Sequence, residues 1–273
     1  MPICYTNCKC FTFFSILVAA VCLSASFEAS AQNDTYLISN PQNARWSYIE
    51  TDSKGTQKAI VYYSVESIKG DGVNGNIKLR IDEVPYASPK DTTRDFMFYR
   101  FKDGELMVDM IAGFEYSLFD DKDIDSLVCS TIKEKYPDLP EEKKKEVYEK
   151  TKAQIMNISG EARGIPRYPV VGKLPDYEFH GKFSILSMKF IGKERRIVGT
   201  ETIQTEAGSF DCFILEETIT TKVFLMKEVE KIKAWYAYGI GLVKEITYDK
   251  SGKLISTMTL NAIMPSGTDR TVE

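Results

Sequence analysis

The chain has 273 residues, a formal net charge of −4 and 43% hydrophobic residues. A balance so near neutral, with lysines and arginines scattered among acids, excludes the concentrated basic face of a nucleic-acid-binding protein. The length suits one large β-domain or two smaller ones.

The N-terminus reads as a cleavable signal peptide over residues 1–31. Lys9 supplies a weakly basic start, Phe11 to Leu23 form an apolar run, and Ala29-Ser30-Ala31 is a small-residue cleavage site before Gln32. The apolar run is shorter than the roughly 20 residues a membrane-crossing helix needs, so the mature chain is expected to carry no transmembrane segment. Cys22 follows Val21, where lipoprotein signals carry a small residue, which argues against lipidation. Localisation is therefore expected to be exported, periplasmic or extracellular. Cleavage removes Cys4, Cys8, Cys10 and Cys22 and leaves Cys129 and Cys212. In an oxidising compartment these two are a possible disulfide; two separately buried thiols are the other reading.

From residue 45 onwards the chain alternates with a period near two, the pattern of half-buried strands. Ala59, Val61, Tyr63 and Val65 make one apolar stripe, and Ile77, Leu79 and Ile81 another. Asp52-Ser53-Lys54-Gly55, Lys102-Asp103-Gly104 and Lys250-Ser251-Gly252 read as hairpin corners. In Phe96 to Phe101 both faces are apolar, which predicts a strand buried on both sides. Residues 119–164 break the rhythm as an acidic and helical insertion. Asp138, Pro140 and Glu141 are helix-start signals, and Val147, Thr151 and Ile155 at four-residue spacing predict a surface helix over 139–155. Strands then resume over 183–191, 195–205, 209–221, 231–238, 242–249 and 253–260. The expected fold is mainly β: a curved antiparallel sheet or half-barrel in one domain over 32–263, with a helical insertion near residues 139–155 and a loose tail over 264–273.

Chemistry-bearing residues are few. His180 is the only histidine, so a histidine-pair metal site is excluded and a catalytic couple would depend on this one residue. Asp121, Asp123 and Asp125 could gather round calcium, but Ser126 and Ile132 stand where an EF-hand loop needs Gly and Glu. No other cofactor is expected. Glu216 and Glu217 are adjacent in a strand and point to opposite faces, so they cannot form a hydrolytic pair together. Trp235, Tyr236 and Tyr238 are candidate ligand-binding aromatics, with Trp235 also readable as a core or rim anchor.

Gly208-Ser209-Phe210-Asp211-Cys212 and the stretch Trp235-Tyr236-Ala237-Tyr238-Gly239-Ile240-Gly241-Leu242-Val243-Lys244 resemble the TapB-like exported proteins of Bacteroidetes, a domain of unknown function. Arg196 to Ile203 and Asp249 to Ser256 fit the same pattern. The resemblance is strongest from Val170 to Leu260 and weaker over Arg45 to Val84. It implies a strongly curved antiparallel sheet, similar to the half-barrels of envelope lipoprotein carriers, and transfers no catalytic residue. The expected function is non-catalytic binding of an apolar or glycan ligand, or of a protein partner, on the curved sheet. The partner would be a lipid, a glycan or an envelope protein. An envelope glycan or peptide hydrolase and a structural component of an envelope assembly are the alternatives.

Overall fold

The computed structural model describes residues 45–264, apart from 71–73, 103–104, 110–111, 114–120, 162–163, 166–167, 184–185 and 224. The expected signal peptide over residues 1–31 and the expected Asp103-Gly104 corner thus lie outside the described residues, as does the expected tail over 265–273.

Five strands come first: β1 (Arg45–Asp52), β2 (Gln57–Gly70), β3 (Gly75–Pro85), β4 (Thr93–Lys102) and β5 (Glu105–Val108). Two helices follow, α1 (Asp121–Lys135) and α2 (Glu141–Ile155). Then come β6 (Met156–Glu161), β7 (Gly172–Lys173), β8 (Tyr177–Phe183), β9 (Leu186–Thr205), β10 (Gly208–Val223), β11 (Met226–Ala237), β12 (Gly241–Asp249) and β13 (Leu254–Met264). All 13 strands belong to one antiparallel sheet, in the order β5-β4-β3-β2-β1-β13-β12-β11-β10-β9-β8-β6, with β7 continuing beside β9. The mainly-β curved sheet with a helical insertion is therefore the architecture.

Two of the corners work by the same device. Asp52 Oδ1 accepts the amides of Lys54 and Thr56 at 2.9 and 3.0 Å, and Asp249 Oδ1 accepts those of Ser251 and Lys253 at 2.7 and 3.0 Å. Gly55 and Gly252 close these turns at φ 78° and 87°, a conformation a side chain would strain.

The alternation read from the sequence puts one face of every long strand into a common core. Cross-strand pairing aligns Trp46 with Tyr63, Tyr63 with Ile81, and Leu79 with Met97, and all of these are buried. Residues opposite one another in a ladder share a face, so the inner face carries a continuous aromatic and aliphatic layer. Tyr48 and Tyr63 meet edge-on at 5.1 Å within it. Bulges between Ile214 and Leu215 and between Glu216 and Thr218 bend the long strands, and Glu194 takes φ 56° at the corresponding point of β9.

The curled sheet is tied at its open side. Ile165 exchanges both backbone hydrogen bonds with Leu106 on β5, at 3.1 and 2.9 Å. Gly164 lies so close that a Cβ there would sit 1.2 Å from the Leu106 carbonyl oxygen. Only glycine permits that approach.

Several sequence expectations are refined. The strands expected over 183–191 and 195–205 are one bent strand, β9, because the Glu194 bulge turns it without breaking it. The insertion holds two helices rather than one. Ile124, Val128 and Ile132 recur every four residues in α1, and Val128 is fully buried. Strand β4 is not covered on both sides. Met97, Tyr99 and Phe101 are buried, while Phe96 and Phe98 are half-buried on the other face, with Lys78 Nζ 4.0 Å from the Phe96 ring centre. Among the described residues no helix is long and apolar enough to cross a membrane.

Candidate functional site

The two faces of strands β9 to β12 have different chemistry, and strand parity sets the difference. On β10, Glu217 turns inward and Glu216 outward. Inside, Arg195 Nε donates to Glu217 Oε2 at 2.7 Å, and both side chains are 2% exposed. The same guanidinium donates to the carbonyls of Pro175 and Gly164 at 3.0 and 3.1 Å and lies over the Tyr177 ring. Burial pushes the Glu217 carboxyl up, and the Arg195 guanidinium pulls it back. With the guanidinium bonded directly, the charged pair is the form the site favours.

Three further glutamates lie on the inner face. Glu50 pairs in register with Met258, and Met258 with Glu245, while Glu230 lies on the same face of β11, two same-face positions from the Ala234 that stands opposite Glu245. Desolvation raises all three carboxyls, Glu230 to about 7 and Glu245 well above the usual range. Glu245 Oε2 and the Tyr63 hydroxyl are buried without a hydrogen-bond partner. The inner face thus combines buried aromatic and aliphatic side chains with glutamates whose carboxyls desolvation pushes up.

On the opposite face a cavity of about 940 Å³ spans β7 and β9 to β12. Cross-strand pairing of Lys173 with Arg196, Arg196 with Glu216, and Glu216 with Lys233 puts all four side chains on this face. Thr218, Lys231 and Tyr248 form the next row in the same way. Arg196 Nη2 donates to Glu216 Oε2 at 2.7 Å, and Lys233 Nζ lies 3.7 Å from Glu216 Oε1. Thr218 Oγ1 donates to Glu194 Oε2 at 2.8 Å. The lining includes four outward cations, Lys173, Arg196, Lys231 and Lys233, against the two carboxylates Glu194 and Glu216. Such a wall offers charged and hydroxyl donors to a polar ligand.

The aromatics singled out from the sequence do not form one platform. Trp235 faces outward but is only 5% exposed, because Lys233 and Lys244 lie over its ring at 5.2 and 5.3 Å and its indole N–H donates to Glu201 at 2.7 Å. Tyr236 points inward, fully buried, and stacks on Phe213 at 5.7 Å. Tyr238 is 42% exposed and touches the same Phe213 ring at 5.8 Å. Cys129 is an exposed free thiol on α1 and Cys212 a buried free thiol on β10, so the structure does not bring them together. Burial pushes the Cys212 thiol up to about 12. Asp121, Asp123 and Asp125 open α1, and their side chains lie outside the described residues. His180 is half-exposed and bonds Glu178, which also binds Lys189. Those two partners, Lys189 first, pull the Glu178 carboxyl down to about 2. Apart from Glu216, which the sequence showed only as one of two adjacent glutamates, the outward cavity residues escaped sequence reading because they are ordinary surface charges. Their only sequence signal is that they alternate with the buried positions of the same strands.

A curved antiparallel sheet with a charged cavity on its outer face describes a class of β half-barrel. The DUF3108-like family matches residues 174–260, which cover β8 to β12 and most of β13. No curated protein matches the chain. Two crystal structures share the fold. A candidate lipoprotein from Parabacteroides distasonis ATCC 8503 superposes with a TM-score of 0.54 at 16% identity, covering 85% of this chain and 100% of that one. A candidate exported protein with a YmcC-like fold from Bacteroides fragilis NCTC 9343 gives 0.52 at 15% identity, covering 82% and 97%. The TapB-like resemblance is not among these matches.

Proposed function

We propose that the chain is an exported envelope protein that works by binding, and that the cavity across β9 to β12 is its ligand site. Export is supported by the basic, apolar and small-residue order of residues 1–31. One fold relative is described as a lipoprotein and the other as an exported protein, which supports it. The stretches from Gly208 to Cys212 and from Trp235 to Lys244, which resemble the TapB-like exported proteins, lie within the residues that the DUF3108-like family matches.

The observation that carries the binding role is the cavity's size and lining. A volume of about 940 Å³ lies at the upper end of small-molecule sites. A wall of Arg196, Lys231, Lys233, Thr218 and Tyr248 suits a glycan bearing acidic groups better than an apolar chain. The test is an array of neutral and acidic glycans probed with the wild type and with a Lys231→Ala/Lys233→Ala variant. An acidic glycan bound at least tenfold more weakly by the variant supports the reading. Binding indifferent to the substitution, or none to any glycan, overturns it.

A further inference from the structure

The β10–β11 hairpin departs from the turn chemistry used elsewhere in the sheet. The β1–β2 and β12–β13 corners are built on Asp and Gly, residues that bond their own backbone or accept left-handed conformations. At the β10–β11 tip the closing pair is Val223 with Met226, and Leu225 is 87% exposed and Met226 45%. Nothing in a turn requires an exposed leucine, and leaving it in water forfeits the gain of burial.

Behind the tip the charges are arranged at similar cost. Lys189 on β9, Lys222 on β10 and Lys227 on β11 stand directly opposite one another in the ladder, and His180 on β8 continues the row. Like charges facing each other across strands are destabilising. Glu178 takes up Lys189 and His180. Glu228 is exposed on the hairpin but pairs with Thr221, on the other face of the sheet from the row. Lys222 and Lys227 are both exposed and flank the apolar tip.

We infer that this hairpin docks the protein on an anionic lipid surface, with Leu225 and Met226 entering the interface and Lys222 and Lys227 meeting the headgroups. An apolar tip behind which cations are gathered is complementary to a bilayer surface in both polarity and sign. The inference is independent of the ligand cavity, which lies further along the same strands.

The test uses the full chain with vesicles of phosphatidylcholine alone or with about one third phosphatidylglycerol. The wild type should bind the anionic vesicles at least tenfold more strongly, less so as salt rises. L225D/M226D and K222E/K227E should each lose at least tenfold, at about fivefold per lysine for the second, with thermal unfolding unchanged. A tryptophan introduced by Leu225→Trp should be quenched by brominated acyl chains beyond the signal of Trp46 and Trp235. Equal binding by the wild type and both double variants, equal binding to the two vesicle types, or a Leu225→Trp variant that shows no added quenching would overturn the inference.

Discussion

Arg195 and Glu217 form an ion pair at 2.7 Å on adjacent strands, both removed from water. The guanidinium also holds the carbonyl of Gly164, next to the Ile165 bridge to β5. One arginine thereby links the interior of β9 and β10 to the tie across the open side of the sheet. Removing it leaves a buried carboxylate and two carbonyls without their donor.

Arg195→Met is expected to cost about 3 to 5 kcal/mol, the usual penalty for stranding one member of a buried pair. Replacing both partners, with Glu217→Leu added, should recover at least about 2 kcal/mol of that loss, because no charge is then stranded. Urea unfolding of the two variants checks the order. A double variant no more stable than the single one would show that the carbonyl contacts, rather than the pair, carry the stability.

Gly164→Ala should detach the tie. The new methyl would collide with the Leu106 carbonyl, which is backbone and cannot step aside cheaply. We expect a loss of about 3 kcal/mol. Amide exchange at Leu106 and Ile165 should rise far more than exchange in β10 or β12.

The buried glutamates predict an unusual pH profile. A carboxyl whose folded pKa is raised stabilises the fold fully below its unfolded value and loses that contribution as pH rises through the folded value. For Glu230 the window runs from its ordinary 4.5 to about 7. Glu230→Gln should therefore flatten the decline over this range and stabilise the protein at pH 8, on the order of 2 kcal/mol after allowance for solvent screening. Asp52 and Glu178, both lowered to about 2, act in the opposite sense. Their contributions are present above the ordinary carboxylate range and vanish as pH falls towards 2. Thermal melts across pH should thus peak in mildly acidic solution.

The two thiols among the described residues should react very differently. Cys129 is exposed, whereas Cys212 is buried with its thiol pushed up to about 12, which leaves almost no thiolate at neutral pH. Iodoacetamide labelling followed by peptide mapping should modify Cys129 in the native protein and Cys212 only in denaturant. Resistance of both thiols until a reductant is added would instead indicate a disulfide.

Much of the fold is legible in residues whose role is local. The alternation of Ile77, Leu79 and Ile81 marks a strand by itself, and Asp249 with Gly252 marks a corner by itself. The β10–β11 hairpin was not legible, because Val223 and Met226 close it without any turn residue. Nor was α1, since the only apolar residues at four-residue spacing in its sequence are Ile124, Val128 and Ile132, set among acids and lysines. The cavity depends on which charged residues become neighbours across strands, and no local pattern in one strand carries that. Trp235 stood out as an aromatic, yet its lysine cover comes partly from Lys244 on the neighbouring strand.

The seam between β1 and β13 has a consequence for how the chain reaches its native state. β13, the last of the described strands, lies in the middle of the sheet, between the two sets of hairpins, and pairs Arg45 with Met264. Tyr48 reaches across to the Leu242 carbonyl, and Asn261 to Ser47. The hairpins of β2 to β5 and β8 to β12 can form from local contacts, but the seam cannot close until nearly the whole chain has emerged. Contacts of such long sequence separation make folding slow. Until β13 is in place the two sets of hairpins share no ladder, so the pairing of this one strand joins two half-sheets into a single core.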